Sequence, residues 1–234
     1  MKVALMQPYF FPYLGYYRLI NSVDEFVIFD NAQFIRRSWI TRNRILNAHK
    51  ESIYINVPVF KAQRETKIKD IQINNDINWQ EKIIQQLLYY KAAPNFTSVM
   101  EFVKECLSIK CDNVSQFNTS ILRKTCNLLK IDANITVLSE KFPFINQADE
   151  ADEWGIKVSK ALKASTYINA IGGKEFYSTQ KYKNEGLDIQ FINPSLAPYK
   201  QFKHKFVPGL SIIDVLMFNE ISRIKEMIGI QELV

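Results

Sequence analysis

Tyrosines, arginines and a few carboxylates carry most of the chemistry this chain could perform. The first 44 residues hold the densest group. Gln7, Pro8, Tyr9, Tyr13, Gly15 and Tyr16 lie in QPYFFPYLGYY, and Asp30, Gln33, Arg36, Arg37, Trp39, Arg42, Asn43 and Arg44 follow. A guanidinium presents a planar fork of donors that grips phosphate or carboxylate and stacks on an indole ring. Four arginines with no acid after Asp30 therefore suit an anion, with a basic surface loop as the alternative. Asp30 ends the apolar run EFVIFD, where an acid commonly holds a ribose or a cation, or caps the strand. Asp214 lies in the apolar run LSIIDVLMFN and must be hydrogen-bonded there, as a base or as a core brace. Gly172, Gly173, Lys174 and Tyr177 follow the strand-like TYINAI. Two glycines let backbone approach a ligand closely, and the lysine adds a point charge. This is not a P-loop, which needs a longer glycine spacing and a Ser or Thr after the lysine.

The chemistry that is missing narrows the choice. Two histidines, His49 and His204, exclude a His-rich metal site, and Cys106, Cys111 and Cys126 lack zinc-ligand spacing, so no metal ligands are assigned. Three cysteines without a CxxC pair read as reduced, mostly buried thiols of a cytoplasmic protein. Neither a Gly-x-Ser-x-Gly elbow nor HExxH is present, and the absence of GxGxxG argues against a nicotinamide enzyme. What remains is a site suited to positioning and charge stabilisation. Tyr13, Tyr16, Asp30 and Asp214 are the catalytic candidates. Gln7, Pro8, Tyr9, Gly15, Gln33, Arg36, Arg37, Trp39, Arg42, Asn43, Arg44, Gly172, Gly173, Lys174 and Tyr177 are the substrate- and phosphate-binding candidates.

The elements that must position these groups alternate between strand and helix. Lys2–Met6 is short and apolar, as a buried strand is; two prolines then end it, and Gly15 opens a helix with Tyr16, Leu19, Ile20 and Val23 on one face. Strand, tight loop and helix N-terminus form the usual ligand site of an open α/β sheet. Glu25–Asp30 is a second strand. Ile53–Phe60 and Thr66–Ile73 alternate in polarity and read as an antiparallel hairpin, so the sheet is expected to be mixed but mainly parallel. Helical periodicity then runs through residues 78–131, with Asn78, Pro94 and Asn113 or Ser115 starting three helices. Ile135–Leu138, Thr166–Ile171 and Asp188–Ile192 are strands, and Glu150–Leu162 and Leu210–Asn219 are helices. The prediction is one α/β domain over 1–234, Rossmann-like, with a helical insertion at about 78–131.

Composition sets the partners. Hydrophobic residues make up 47% and aromatics 13%, ample for a packed core, and the net charge of +6 favours anionic partners. The lysines are scattered, which points to a local anion site and not to a nucleic-acid tail. No transmembrane segment or signal peptide is read, because Gln7, Pro8 and Pro12 break the N-terminal apolar stretch.

The runs MQPYFFPYLGYYRLI, VIFDNAQFIRRSWITRNRI, YINAIGGKEFY and FVPGLSIIDVLMFN together resemble the WbqC-like family, in the same order and from the first residue to about residue 220. Its genes are typically found among those for O-antigen and other surface polysaccharides. The resemblance implies a cytoplasmic transferase that adds a glycyl, other aminoacyl or acyl group to the amine of a nucleotide-linked amino sugar. Glu220-Ile221 stand where the family often has a glycine. Tyr13-Leu14-Gly15-Tyr16 is also similar to the His-x-Gly-His signature of nucleotidyltransferases of the HUP-like class. That likeness implies ATP with magnesium as a cofactor, although tyrosine, unlike histidine, carries no positive charge near neutral pH. Two alternatives therefore stay open: an adenylyl transferase, and a non-catalytic sugar-nucleotide binding or assembly protein. The acyl donor is also open, a charged tRNA being the one nucleic acid that fits, and so is a homodimer.

Overall fold

A computed structural model describes residues 1–47, 52–193, 198–202 and 205–229. His49, Pro194 and His204 lie outside the described residues. The chain opens with strand β1 (Lys2–Met6), helix α1 (Leu14–Asn21) and strand β2 (Glu25–Ile28). An antiparallel pair follows, β3 (Arg42–Leu46) with β4 (Ser52–Asn56). Helices α2 (Trp79–Leu87), α3 (Phe96–Leu107) and α4 (Val114–Leu129) come next. Then β5 (Asn134–Val137), α5 (Leu138–Lys141), α6 (Glu153–Ala161), β6 (Thr166–Ala170), α7 (Thr179–Asn184) and β7 (Asp188–Ile192) restore the α/β alternation. Helices α8 (Ile212–Phe218) and α9 (Ile221–Gly229) close the described chain.

The central sheet has the order β5-β2-β1-β6-β7, and every pairing in it is parallel. This is a Rossmann-like α/β fold. Side-chain alternation along the strands splits the core in two, as a pleat requires. Ala4, Phe26, Ile28 and Ile168 face the cluster built with α1, α4 and α9; Val3, Leu5, Val27 and Tyr167 face the one built with α6 and α7. Helices α2, α3 and α4 belong to the first cluster, where Trp79, Leu87, Val103 and Ile121 are buried. Gly155 explains how closely α6 lies on the other face. A Cβ there would stand 2.2 Å from the Tyr182 hydroxyl and 2.8 Å from the Tyr167 ring.

Local signals place most helices. Asn78 accepts from Glu81 N–H, Asn113 from Ser115 and Gln116 N–H, Ser178 from Lys181 N–H, and Ser211 from Ile213 N–H, so four of the described helices begin at side-chain caps. The hairpin is the main correction. The partner of β4 is Arg42–Leu46, not Thr66–Ile73, and the pair stands apart from the central sheet. Ile68, Ile71 and Ile73 are buried at spacings of three and two, across a 3-10 turn at Ile68–Asp70, so 66–73 is not a strand. Its contribution is limited to isolated bridges, Gln33 with Lys67, Val59 with Ile73 and Gln72 with Asn113.

Candidate functional site

Strand order reverses at β1. From β1 the chain goes to β2 and β5 on one side, and later to β6 and β7 on the other. The crevice beyond the carboxyl ends of β1 and β6 is the switch point, where open α/β sheets hold ligands. A cleft of about 700 Å³ lies there. Leu5, Met6, Gln7, Tyr9, Pro12 and Tyr13 line it from the β1–α1 connection, and Asn169, Gly172, Gly173, Phe176 and Tyr177 from the end of β6. Phe29, Trp39, Asn43, Ala151 and Gly209 complete the wall.

Three separate segments hold the aromatic loop in place. Phe10 N–H donates to Trp39 O at 2.8 Å, and Asn43 Nδ2 donates to Phe10 O and Phe11 O at 3.0 and 2.7 Å. Ser211 Oγ donates to Phe11 O, and Ile212 N–H to Pro12 O. Phe11 itself has φ of +40°, a conformation a phenylalanine keeps only when its surroundings dictate it. Helix α1 then starts at Tyr13 with no side-chain cap, its amide end at the cleft. A helix N-terminus in that position favours an anionic group.

The electrostatics of the cleft are those of a neutral site. No Asp, Glu, Lys or Arg is among its lining residues. Burial raises the Tyr9 and Tyr13 hydroxyls above the usual tyrosine value, so both stay protonated near neutral pH. Neither hydroxyl, nor the Gln7 side-chain amide, hydrogen-bonds to a described residue, so all three are available to a ligand. Tyr177 is different, because Asn169 Nδ2 donates to its hydroxyl and rings of Tyr167, Tyr182 and Phe191 stand 5.9–6.0 Å away.

The structure brings together only part of the residues that the sequence singles out. Gln7, Tyr9, Tyr13, Trp39, Asn43, Gly172, Gly173 and Tyr177 line the cleft; Pro8, Gly15, Tyr16, Asp30, Gln33, Arg36, Arg37, Arg42, Arg44, Lys174 and Asp214 do not. Tyr16 is buried and donates to Gln7 O at 2.7 Å, so it supports the loop from behind. Pro8 O accepts from Asn118 Nδ2. Arg44 is closest to the rim: its Nη2 donates to the carbonyls of Pro208 and Gly209, and its guanidinium lies 5.9 Å from the Trp39 ring. Arg42 covers Tyr54 at 4.2 Å, and exposed Lys174 stands 5.8 Å from the Phe191 ring. Gln33, Arg36 and Arg37 are exposed on the surface beyond β2.

Both carboxylates lie elsewhere. Asp30 accepts from the Ser139 amide and hydroxyl at the start of α5 and borders a separate cavity of about 200 Å³ with Lys69, Asp70 and Glu140. Burial raises its carboxyl above the ordinary range, an effect that Ser139 partly offsets. Asp214 is fully buried and accepts from Tyr90 Oη at 2.6 Å, Tyr199 Oη and Gln201 Nε2 at 2.7 Å. Burial raises its carboxyl too, against the pull of those three donors.

Phe29, Asn169, Phe176 and Gly209 line the cleft without having been singled out. For Asn169 a signal existed, since it is the lone amide in the otherwise apolar strand TYINA. Gly209 takes φ of +67° and presents its carbonyl to Arg44.

Residues 7–226 match the WbqC-like protein family. The chain belongs to that family. It is also similar to Uncharacterized protein Rv1507c of Mycobacterium tuberculosis (strain ATCC 25618 / H37Rv), 28% identical over 222 residues that cover 93% of each chain. No solved structure matches. The match therefore begins at Gln7, the first residue of the cleft loop, and runs through α8. No described helix is long and apolar enough to cross a membrane.

Proposed function

We propose that this WbqC-like protein binds a nucleotide-linked amino sugar in the switch-point cleft and transfers an aminoacyl, glycyl or acyl group to its amine, in surface-polysaccharide assembly. The observation that carries this reading is the position and lining of the cleft. It lies where α/β sheets bind nucleotides, is walled by rings that can stack on a base, and ends at an uncapped helix N-terminus suited to a phosphate. Arg44 at the rim supplies charge for the diphosphate. In the transfer the amine lone pair attacks the acyl carbonyl, the donor's leaving group departs with the C–X electrons, and the amine gives up one proton. Protonated Tyr9 and Tyr13 can donate to the oxygen that gains charge in that step. An uncharged amine needs only a weak base, which the departing group or water can provide.

One observation favours a second reading, a sugar-nucleotide binding protein without turnover: no carboxylate or amine lines the cleft. A ligand screen by thermal shift, with UDP- and dTDP-amino sugars and with ATP and magnesium, separates these readings, since a ligand of the native state raises the melting temperature by mass action. Stabilisation by an amino-sugar nucleotide, reduced in Tyr13→Phe and Trp39→Ala, supports the site. Mass spectrometry of the sugar after incubation with an acyl donor then decides between transfer and binding alone. Stabilisation by ATP and magnesium only would replace both readings with an adenylyl transferase.

A further inference from the structure

Beyond β2 the chain leaves the cleft wall at Phe29, forms an exposed surface, and returns to the wall at Trp39. Three segments meet on that surface. Gln33 Nε2 donates to Arg64 O, Phe34 N–H to Thr66 O and Arg36 Nη2 to Ala62 O, which joins 33–37 to 62–66. Asn31 Nδ2 donates to Ile145 O and Lys67 Nζ to Asn146 O, which adds 144–146. Arg36, Arg37, Lys61, Arg64 and Lys67 are thereby gathered against one acid of the same segments, Glu65. None of the five forms an ion pair with a described residue.

Large apolar side chains are exposed in or beside the same segments. Ile35 is 64% exposed, Phe60 49% and Phe144 71%. A single exposed apolar side chain is ordinary, and a basic patch by itself fits many anions. Their combination is more selective. Phosphodiester backbones reward cations and stacking rings, but an isoleucine directed at solvent gains nothing from them. At a bilayer, cations meet anionic headgroups while Ile and Phe enter the headgroup–acyl boundary.

We infer that this surface docks the protein on an anionic lipid bilayer, with the mouth of the cleft, at Trp39 and exposed Phe176, beside the contact. The partner is the negatively charged membrane surface itself. A cleft placed there can exchange ligands with molecules at the membrane surface, whatever reaction it supports. Apolar insertion adds to the electrostatic term, and both are needed because neither is large alone.

Co-sedimentation of the full chain with vesicles tests this. Binding is expected to phosphatidylcholine mixed with an equal part of phosphatidylglycerol, and not to phosphatidylcholine alone. The double substitution Lys61→Glu/Arg64→Glu is expected to lower vesicle affinity at least about tenfold, given the worth of each cation at an anionic surface. Ile35→Ser/Phe144→Ser, which keeps every charge, is expected to lower it severalfold. Unchanged melting temperatures in both variants would exclude misfolding. Failure to sediment with the anionic vesicles would overturn the inference. So would retention that Ile35→Ser/Phe144→Ser leaves intact and bulk tRNA competes away, because the surface would then be a nucleic-acid site.

Discussion

Two tyrosine-rich regions of this molecule do opposite work. In the cleft, Tyr9 and Tyr13 are half-buried, no charged residue is among the lining residues, and neither hydroxyl bonds to a described residue. Around Asp214, Tyr90 is fully buried and Tyr199 half-buried, and both hydroxyls are committed to one carboxylate; Tyr90 Oη also accepts from Leu46 N–H at 2.8 Å. The second region ties together α8, β3, the turn after α2 and the residues Tyr199, Gln201 and Val207. Identical side chains thus serve binding where their polar atoms remain idle, and stability where those atoms are saturated. Buried donors left idle cost free energy, so most idle groups of a folded chain lie where solvent or a ligand can satisfy them.

The sharpest break of this contrast is Asp214→Ala. It removes the acceptor shared by Tyr90, Tyr199 and Gln201 and is expected to cost about 3–5 kcal/mol of unfolding free energy, read by urea denaturation. Asp214→Asn keeps an acceptor, costs less, and changes the pH dependence. Because burial raises the folded-state carboxyl pKa, its stabilising contribution is full below the unfolded value of 3.8 and is lost as pH rises through the folded value. Wild-type stability should therefore lose this contribution with rising pH, while the Asn variant lacks that loss and the gap between them narrows. A gap independent of pH would mean that Asp214 titrates alike in both states.

Asn43 joins the two modes, since it lines the cleft and is buried with its amide on the Phe10 and Phe11 carbonyls. Asn43→Ala should cost about 2 kcal/mol by denaturation and also weaken ligand binding, because the positive-φ turn at Phe11 loses its brace. Loss of stability with binding intact would assign it to the fold alone. Tyr13→Phe should do the reverse: stability within about 0.5 kcal/mol of wild type, and affinity for the cleft ligand lower by about five- to tenfold in calorimetry. The smallest effect concerns the sealed interior. Burial pushes the Cys106 and Cys126 thiols up to about 12, whereas Cys111 is half-buried. A thiol reagent should modify Cys111 in the native protein and all three cysteines only after unfolding.

Strands β1, β6 and β7, the cap of α2 and the start of α4 to within two residues were legible in the sequence, as were Gln7, Tyr9 and Tyr13 as a group at one loop. The basic segment was legible only as composition. Its arginines divide between the rim, an aromatic face and an open surface, a division that depends on pairing β3 with β4 and on a bend at Arg37, whose φ is +58°. Helices α7 and α9 were not read, the first being six residues long and the second amphipathic at the end of the described chain.

By itself the sequence determined the α/β alternation, the family, the cap of α2 and the need for Asp214 to be partnered. These follow from forces that act within a few residues, namely side-chain periodicity and cap hydrogen bonds. The tertiary structure alone decided which candidate faces the ligand. Asp30 meets Ser139 from 109 residues away and Asp214 meets Tyr90 from 124. A carboxylate's surroundings are set by whichever distant segment closes over it, and no local pattern encodes that segment.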